Sequence, residues 1–490
     1  MKYLYFILSI CWILSCSDRE LSPTESNPKV EVNQPPSPVK FTIDSISHNG
    51  AHLSWEAASD PESDELSYSI ELDGKLVLER AKDRTYKFQN LDELTTYSGK
   101  IIVTDAHKNT TSTSFSFQTK KFYLTFVKNY LFPGATLTSG APYNILKLSD
   151  GNYLVGGYVS AGTYFYTVFL MKTDYYGNVI WKKNYDIAGE SSPFTFIMKE
   201  IQGEIILAAS YTVAKLNLDG IQKWEKRITT YDNGYGDSTI NSFATDADHN
   251  IYIAGTLADT TDESAEMGMI TKLTPDGQLI WEKKYTSYIT ETGNKTMYLR
   301  FMDIDIKGDQ IYILGDIDIS GMDTNSNMVK QVFYFLKTDT DGSSLSEKAY
   351  NHHNNLSHKI LRRKNGNYLL SSQQSIVEID QSGNEVWAKT YYAITQMYSM
   401  FYSFKETASG DLVFVGKEDK LGVYFRTDNR GNMLYKKYYN SLPNYAAGID
   451  VVLEDDQSYR IAFAFGRYYS FNLWYDEIML VKTDTEGNYK

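Results

Sequence analysis

Hydrophobic and polar residues alternate with a period of two over most of the chain from Val39 onward, and clusters of turn residues interrupt the alternation at short intervals. Because successive side chains of a strand point to opposite faces of a sheet, this pattern predicts many short, half-buried strands. The residue counts agree, with 40 Tyr and 32 Gly against only 11 Pro. The chain is therefore predicted to be all-β.

Residues 39–120 carry about seven of these strand patterns. Shared faces are predicted for Leu53 with Trp55, for Tyr68 with Ile70 and Leu72, for Tyr97 with Ile101 and Val103, and for Phe115 with Phe117. Seven short strands in a segment of this size predict a two-sheet sandwich.

The same segment resembles a fibronectin type III domain. Trp55 stands on the second predicted strand, and Leu91, Leu94 and Tyr97 follow in the order of that family's tyrosine corner. The resemblance implies an adhesive, spacing or accessory module, which sets no chemistry by itself.

Residues 121–490 repeat one hairpin pattern. A Lys-type position is followed five residues later by Gly, and the Gly is followed four residues later by an aromatic residue in most copies. The glycines are Gly177, Gly220, Gly277, Gly342, Gly383, Gly431 and Gly487. Their intervals bracket the roughly 40–50 residues of a four-stranded propeller blade. A fixed hairpin at variable intervals predicts blades joined by loops of different length.

Two residues beyond each aromatic position stands a lysine, and a tyrosine follows two residues later, with Ile228 as the exception. The lysines are Lys183, Lys226, Lys283, Lys348, Lys389 and Lys437. On an outer strand they are predicted to face solvent and to discourage pairing of sheet edges.

The seventh copy stops at Lys490, before its aromatic position, and the missing strand stands at the other end of the array. Phe126, Lys128 and Tyr130 match the aromatic, Lys and Tyr positions. Residues 122–130 are therefore predicted to complete the last blade. The predicted fold is all-β, a fibronectin type III sandwich followed by a seven-bladed β-propeller closed by an interlock of N-terminal and C-terminal strands.

The first fifteen residues hold one cation, Lys2, and an apolar run too short to span a bilayer, which indicates a signal peptide. The sequence Ile13-Leu14-Ser15-Cys16 resembles the lipobox of bacterial lipoproteins, which implies that Cys16 is acylated and becomes the mature N-terminus. Residues 16–38 are polar and Pro-rich and predict a flexible tether. We expect a lipid anchor in the outer membrane, with the protein exposed at the cell surface or, alternatively, facing the periplasm.

The net charge of the chain limits the classes of partner that are expected. The net charge of −13 leaves no basic excess to displace counterions from phosphates, so a nucleic-acid partner is not expected. The remaining expected partners are the membrane, reached through the N-terminal lipid, and a glycan or an envelope protein.

The repeated motif Lys-Thr-Asp, Gly-Asn and Trp, as in residues 172–181, resembles the repeats of secreted bacterial propeller lipoproteins. It is more loosely similar to the repeats of quinone-dependent dehydrogenases and of outer-membrane assembly scaffolds. Those relatives usually have eight blades, and the quinone enzymes carry a Cys pair near the cofactor, whereas both Cys of this chain, Cys11 and Cys16, lie in its N-terminal leader. No quinone or other organic cofactor is therefore expected.

Aromatic clusters predicted to lie in loops are the candidate binding residues, because exposed rings stack on sugars or anchor protein partners. They are Tyr164, Phe165 and Tyr166, then Tyr231 and Tyr235, and finally Tyr468, Tyr469, Trp474 and Tyr475. The alternative is that these rings pack between blades.

Metal binding has only weak candidates. Asp60, Glu62, Asp64 and Glu65 crowd one loop and could hold calcium, and the alternative is a solvated acidic loop. Other possible ligands are His352, His353 and His358, and the groups Asp303, Asp305 and Asp309 or Asp316, Asp318 and Asp323. No metal is assigned from the sequence.

No linear catalytic motif is present. The leading hypothesis is a non-catalytic, lipid-anchored envelope protein that presents one propeller face to a glycan or a protein partner. The first alternative is a glycan-active hydrolase or lyase whose acid and base stand on different blades. The second is a scaffold for outer-membrane assembly.

Overall fold

The computed structural model describes residues 32–132, 140–160, 166–187, 195–228, 239–258, 266–286, 298–319, 330–350, 357–391, 399–439, 445–469 and 472–489. Among these residues no helix is long and apolar enough to cross a bilayer. The chain divides into two units, Met1–Phe122 and Tyr123–Lys490.

The smaller unit contains seven strands in two antiparallel sheets. They are β1 (Phe41–Asp44), β2 (Ala51–Trp55), β3 (Ser67–Leu72), β4 (Lys75–Ala81), β5 (Thr85–Phe88), β6 (Thr96–Thr104) and β7 (Thr110–Gln118). One sheet has the order β1-β2-β5 and the other the order β4-β3-β6-β7. The inward faces that the alternation predicts, including those of Leu53, Trp55 and Ile101, are buried in one core.

Two contacts fix the edges of this unit. The Tyr97 hydroxyl accepts a hydrogen bond from the main-chain N–H of Asp92, at 2.8 Å, so the phenol fastens the loop that precedes its own strand. The end of the predicted tether is also attached, because Asn33 Nδ2 donates to the Asp105 carboxylate at 2.6 Å and Ser37 N–H donates to the Ser59 carbonyl. The extended backbone of residues 33–38 thus lies against the unit instead of hanging free.

The larger unit consists of antiparallel sheets of four strands each. The first two sheets contain β9 (Gly140–Lys147), β10 (Tyr153–Ser160), β11 (Tyr166–Thr173) and β12 (Val179–Tyr185), then β13 (Phe196–Ile201), β14 (Glu204–Ala209), β15 (Thr212–Asn217) and β16 (Gln222–Arg227). The third and fourth contain β17 (Thr239–Thr245), β18 (Ile251–Ala258), β19 (Glu266–Leu273) and β20 (Leu279–Tyr285), then β21 (Tyr298–Lys307), β22 (Gln310–Ile319), β23 (Lys330–Asp339) and β24 (Ser344–Tyr350).

The fifth and sixth sheets contain β25 (Ser357–Arg362), β26 (Tyr368–Ser372), β27 (Ser375–Ile379) and β28 (Glu385–Thr390), then β29 (Ser399–Glu406), β30 (Leu412–Glu418), β31 (Leu421–Thr427) and β32 (Met433–Tyr439). The seventh contains β33 (Tyr445–Leu453), β34 (Tyr459–Tyr469), β35 (Asn472–Lys482) and β8 (Phe126–Leu131). The third and fourth sheets are joined by a single parallel bridge between Glu266 and Tyr298.

The seventh sheet combines both ends of the unit. Strand β8 pairs antiparallel with β35, with Phe126 opposite Lys482 and Leu131 opposite Glu477. This is the pairing that the incomplete seventh repeat predicts. Without β8 the outer edge of β35 would expose unpaired main-chain groups.

The repeated hairpin joins the last two strands of the first six sheets, and in the seventh the same turn follows β35. Its glycine has the backbone conformation that the spacing predicts. All seven hairpin glycines have a positive φ, between +71° for Gly220 and +78° for Gly487. A residue with a Cβ adopts this conformation only at a cost, so the repeated Gly is a backbone requirement.

The first strands of the seven sheets contact one another in sequence order, and β33 contacts β9. Main-chain hydrogen bonds also cross between neighbouring sheets, as from Ile240 N–H to the Ser210 carbonyl and from Phe401 N–H to the Gln373 carbonyl. Buried apolar side chains fill the space between adjacent sheets. The larger unit is therefore a β-propeller-like repeat fold.

The repeated tyrosine fastens each sheet to the next. Its hydroxyl donates to the carbonyl of the hairpin glycine in the following sheet. The pairs are Tyr130 with Gly177 at 2.6 Å, Tyr185 with Gly220, Tyr285 with Gly342 and Tyr350 with Gly383 at 2.7 Å, Tyr391 with Gly431 at 3.0 Å, and Tyr439 with Gly487 at 3.4 Å. At the one exception Ile228 is buried, and the Trp224 ring lies against Gly277 instead.

The repeated lysines are expected to face solvent, but in the structure some of them also bind the neighbouring sheet. Lys128 Nζ donates to Asn178 Oδ1 at 2.8 Å, and Lys348 Nζ donates to Asn384 Oδ1 at 2.9 Å. Each asparagine follows the hairpin glycine of the next sheet, so the ammonium groups bind a neighbouring turn. The sequence did not show this, because the two partners stand in different repeats. Lys226 is exposed, as predicted.

Candidate functional site

The first strands of six sheets share a β-bulge, a local shift of register that re-aims the side chains after it. A polar residue follows each bulge: Asn144, Ser242, Asp303, Lys359, Ser403 and Asp450. Because the first strands contact one another in a cycle, these residues stand around one axis. We call this set the bulge ring.

Three members of the bulge ring accept a hydrogen bond from the main chain of the next sheet. Asn144 Oδ1 accepts from Met198 N–H at 3.0 Å, Asp303 Oδ2 from Ile360 N–H at 2.9 Å, and Asp450 Oδ2 from Ile145 N–H at 3.1 Å. These groups therefore hold neighbouring first strands together.

The two serines of the ring also bind its carboxylates. Ser242 Oγ donates to Asp303 Oδ1 at 2.5 Å, and Ser403 Oγ donates to Asp450 Oδ1 at 2.6 Å. Asn144 Nδ2 donates to Asp450 Oδ2 at 2.5 Å. Both carboxylates thus have hydrogen-bond donors from the neighbouring sheets, which satisfies them in a partly buried position.

Three lysines converge on the same axis. Lys359 belongs to the bulge ring, while Lys199 directly follows the buried Met198 in β13 and Lys405 directly follows the buried Phe404 in β29. All three are half-buried. Together with Asp303, Asp305 and Asp450 they form a group of six charges, which we call the axial cluster.

The electrostatic effects within the axial cluster cross from sheet to sheet. Burial, with the positive charges of Lys405 and Lys199, lowers the pKa of Lys359 to about 8, although Asp450 and Asp303 act to raise it. These charges come from the second, fourth, sixth and seventh sheets, whereas Lys359 is in the fifth. The first strands of these sheets contact one another around one axis, and Lys359 and Asp450 hold equivalent positions after the bulges of their strands.

The other pKa shifts of the cluster have the same origin. Burial lowers the pKa of Lys199 and raises the pKa of Asp305, which lies 3.4 Å from Arg362 Nε. Burial also acts to raise the pKa of Asp450. There Lys405, Lys359 and the hydrogen bonds from Ser403 and Ile145 outweigh it, so that pKa lies below its usual value.

Two ammonium groups of the cluster have no acceptor among the described residues. Lys359 Nζ lies 5.8 Å from the centre of the Phe404 ring, and within the described parts of the chain neither Lys359 nor Lys405 makes a side-chain hydrogen bond or ion pair. Lys199 Nζ, by contrast, donates to the Phe243 carbonyl. Half-buried ammonium groups without acceptors can bind a negatively charged group.

Two aromatic residues occupy bulge positions, each directly before a residue of the bulge ring. Tyr143 directly precedes Asn144 and is 38% exposed, and Tyr402 directly precedes Ser403 and is half-buried. The ring of Tyr143 packs edge-on against that of Tyr158, with centroids 5.6 Å apart. The first and sixth sheets thus place two phenols next to residues of the bulge ring.

Of the aromatic binding residues chosen from the sequence, five lie on described strands and four outside the described residues. Tyr164, Phe165, Tyr231 and Tyr235 lie outside the described residues. Tyr166 is not in a loop but begins β11, opposite Ser160, and packs against the core between the first two sheets.

The remaining four aromatic residues also lie on strands and not in a loop. Tyr468 and Tyr469 end β34, and Trp474 and Tyr475 belong to β35. The long hairpin extends the period-two pattern beyond the point where a loop was expected, with Arg467 opposite Trp474.

The predicted calcium loop is partly assembled in the smaller unit. Asp60 and Asp64 lie together with Asp105, which the sequence did not suggest, and this is the one group of three potential ligands within the described residues. Asp105 accepts hydrogen bonds from Asn33 and Asn109. Glu65 instead pairs with Lys82 at 2.6 Å.

Within the described part of the chain the other candidate metal ligands form no group of three. Asp303 and Asp305 join the axial cluster, where Ser242, Ile360 and Arg362 are their partners. The residues His352, His353 and Asp323 lie outside the described residues, and His358 is described only as a position in β25.

Comparisons with known proteins do not assign a family. No family model matches the chain, and no curated protein matches it. Among solved structures, a protein of unknown function from Bacteroides caccae is similar at 13% identity, with a TM-score of 0.38 over 59% of this chain and 93% of that one.

Two carbohydrate-active proteins are also similar in structure. Rhamnogalacturonan lyase from Bacillus licheniformis has 10% identity and a TM-score of 0.40, covering 92% of this chain and 91% of its own. An α-L-arabinofuranosidase from Fusarium graminearum has 12% identity and a TM-score of 0.41, covering 60% and 92%. At these scores the similarity assigns no function to this chain.

Proposed function

We propose that this chain is a lipid-anchored protein of the bacterial outer membrane that binds a glycan or a protein partner at the cell surface. The observation that carries the binding proposal is that the first strands of three sheets place the half-buried Lys199, Lys359 and Lys405 around one axis, where Lys359 and Lys405 have no acceptor among the described residues. A chain with a net charge of −13 has here a local site suited to a negatively charged group.

The proposed architecture is a fibronectin type III domain that presents a seven-bladed β-propeller. The sandwich of three and four strands, the buried Trp55 and the hydroxyl contact of Tyr97 support the first part. The four-stranded sheets, the cyclic contacts of their first strands and the pairing of β8 with β35 support the second.

We propose that Cys16 carries the lipid anchor, and Cys11 of the same chain provides the control. Metabolic labelling with a palmitate analogue should mark the wild-type protein and a Cys11→Ser variant, whereas Cys16→Ser should be unlabelled. Digestion of intact cells with a protease then tests surface exposure. Labelling of Cys16→Ser would overturn the anchor, and full protection from protease with the label intact would place the protein on the periplasmic face.

The binding function is tested with the full mature chain on a panel of polysaccharides and in a search for an envelope partner by co-purification. We expect retention that weakens in Lys199→Met and Lys405→Met and persists in Lys226→Met, an exposed lysine of an outer strand. If the wild-type protein binds no polysaccharide and co-purifies with no partner, the proposed function is wrong.

A second candidate function is a glycan-active hydrolase or lyase. The observation that favours it is the opposite shift of two pKa values in one cluster, with Lys359 lowered to about 8 and Asp305 raised. Titratable groups whose environments shift their pKa values in opposite directions are candidates for the acid and the base of a reaction. Release of product from the polysaccharide panel, with loss of product in Asp305→Asn, would favour this function over simple binding.

A further inference from the structure

The charges of the axial cluster are not equivalent. Asp303 and Asp450 already bind neighbouring sheets, since each accepts hydrogen bonds from a serine and from a main-chain N–H. Asp305 lies beside Arg362. Lys359 and Lys405, in adjacent sheets, are the cluster members whose charged groups have no hydrogen-bond or ion-pair partner among the described residues.

An ammonium group without an acceptor is costly when half-buried, and a compact oxyanion removes that cost. The oxygens of one carboxylate or sulfate can accept from two ammonium groups at once, and charge-assisted hydrogen bonds of this kind are the strong ones. In a partly buried site the attraction is also screened less than at an open surface. The chemistry of the cluster therefore selects an oxyanion.

The neighbouring side chains suggest what carries the oxyanion. Tyr143 and Tyr402 stand on the bulges that immediately precede Asn144 and Ser403. Flat phenol rings next to amide and hydroxyl groups suit a sugar ring, whose faces are apolar and whose edges are polar. Tyr143 keeps 38% of its surface exposed, which leaves area for stacking.

We infer that the axial site binds an acidic saccharide, with its carboxylate or sulfate held by Lys359 and Lys405 and its sugar ring against Tyr143. This inference rests on the proposed binding function and specifies its ligand class. Carboxylate and sulfate offer the same chemistry to the lysines, so the experiment has to distinguish them. An acidic peptide is the competing ligand.

The test measures affinity of the full mature chain by calorimetry for four probes. These are an oligogalacturonate, the same oligomer with its carboxyl groups reduced to alcohols, a sulfated oligosaccharide and a Glu-rich peptide. We expect the oligogalacturonate or the sulfated oligosaccharide to bind, and reduction of the carboxyl groups to abolish binding of the former. Tighter binding of the peptide, or unchanged binding of the reduced oligomer, would overturn the inference.

Variants of Lys405 and Tyr143 test whether these residues determine the affinity for the saccharide. Lys405→Met should weaken binding at least about tenfold, since a charge-assisted hydrogen bond is lost, and Lys405→Arg should restore most of it. Tyr143→Ala should weaken binding of the saccharide but not that of acetate or inorganic sulfate. Lys226→Met and Tyr176→Ala are the matched controls, because both residues are exposed on outer elements.

The outcomes separate this inference from the function on which it rests. If a neutral glycan or an envelope protein binds equally well to the wild type and to folded Lys405→Met, the proposed function stands and the acidic-saccharide site is wrong. If no probe and no partner binds the wild type, both are wrong. Circular dichroism and a melting curve of each variant establish that it is folded.

Discussion

The carboxylate of Asp450 and the main-chain N–H of Ile145 are 3.1 Å apart, and their hydrogen bond joins the seventh sheet to the first. Asp450 is buried and also accepts from Ser403 Oγ. Asp450→Ala should therefore lower the free energy of unfolding by about 2–4 kcal/mol, since it leaves buried donors without acceptors. Chemical denaturation measures this loss. Asp455→Ala is the control, because its side chain is 93% exposed, and an equal loss in both variants would contradict the prediction.

The contribution of Asp450 should depend on pH in a defined direction. Its pKa is below the ordinary value in the folded chain, so its contribution is complete above about pH 4, the unfolded value. As the pH falls through the lower folded pKa, the contribution is lost. The stability difference between wild type and Asp450→Ala should therefore shrink in acid. A constant difference from pH 7 to pH 2 would show that the charge of Asp450 is not responsible.

Lys359→Met should stabilise the fold while it impairs binding. Burial lowers the pKa of Lys359 from 10.5 to about 8, so the protonated group destabilises the folded state below pH 8. The gain at pH 7 should be about 1–3 kcal/mol and should vanish as the pH approaches 10.5, where the unfolded chain also loses its proton. Denaturation at pH 7 and pH 10 measures it, with Lys226→Met as control. A loss of stability at pH 7 would refute the account.

Affinity for an acidic saccharide should fall as the pH rises through 8. Lys359 loses its charge there, while Lys405, Lys199, Asp303 and Asp450 are the charged groups that surround it. The carboxylate of the ligand stays ionised throughout this range. Calorimetry between pH 6 and pH 9.5 should show the decline in the wild type and a flatter profile in Lys359→Met. An affinity that does not change over this range would exclude Lys359 from the site.

Tyr350→Phe should cost about 1 kcal/mol of stability, because it removes the hydroxyl that donates to the Gly383 carbonyl at 2.7 Å. Tyr350 is buried, so solvent does not replace the lost donor. The measurement is the denaturation midpoint of the purified chain. Tyr176→Phe, at a residue 60% exposed, should leave it unchanged, and a similar decrease in both variants would argue against the role of this hydrogen bond.

The outer hairpins were predictable because one conformational need recurs in every sheet. A positive φ calls for glycine, so Gly177, Gly220 and their equivalents stand out in the sequence. The pairing of β8 with β35 was predictable because β8 has the aromatic, Lys and Tyr positions that the last repeat lacks. Contacts between repeats were not predictable in this way. The bonds from Lys348 to Asn384 and from Tyr350 to Gly383 join residues whose relation appears only once the sheets are side by side.

The axial cluster was not predicted from the sequence for a related reason. The charged residues are spread over five first strands, and in four of these strands a bulge breaks the alternation that marks a strand. A usable signal was present, since each polar residue of the bulge ring stands directly before a buried apolar one, as in Asp303-Ile304 and Asp450-Val451. The aromatic residues were conspicuous in the sequence because they are numerous, and one of them, Tyr166, packs against the core between the first two sheets.

The pairing of β8 with β35 also sets an order of events during biosynthesis. Asn129 in β8 and its contact Glu477 in β35 are 348 residues apart, so the first strand of the larger unit to leave the ribosome waits for the last. Until then β35 lacks one of its two neighbouring strands. For a chain exported as proposed, the translocation machinery receives an open polypeptide, and the ring is completed only after delivery.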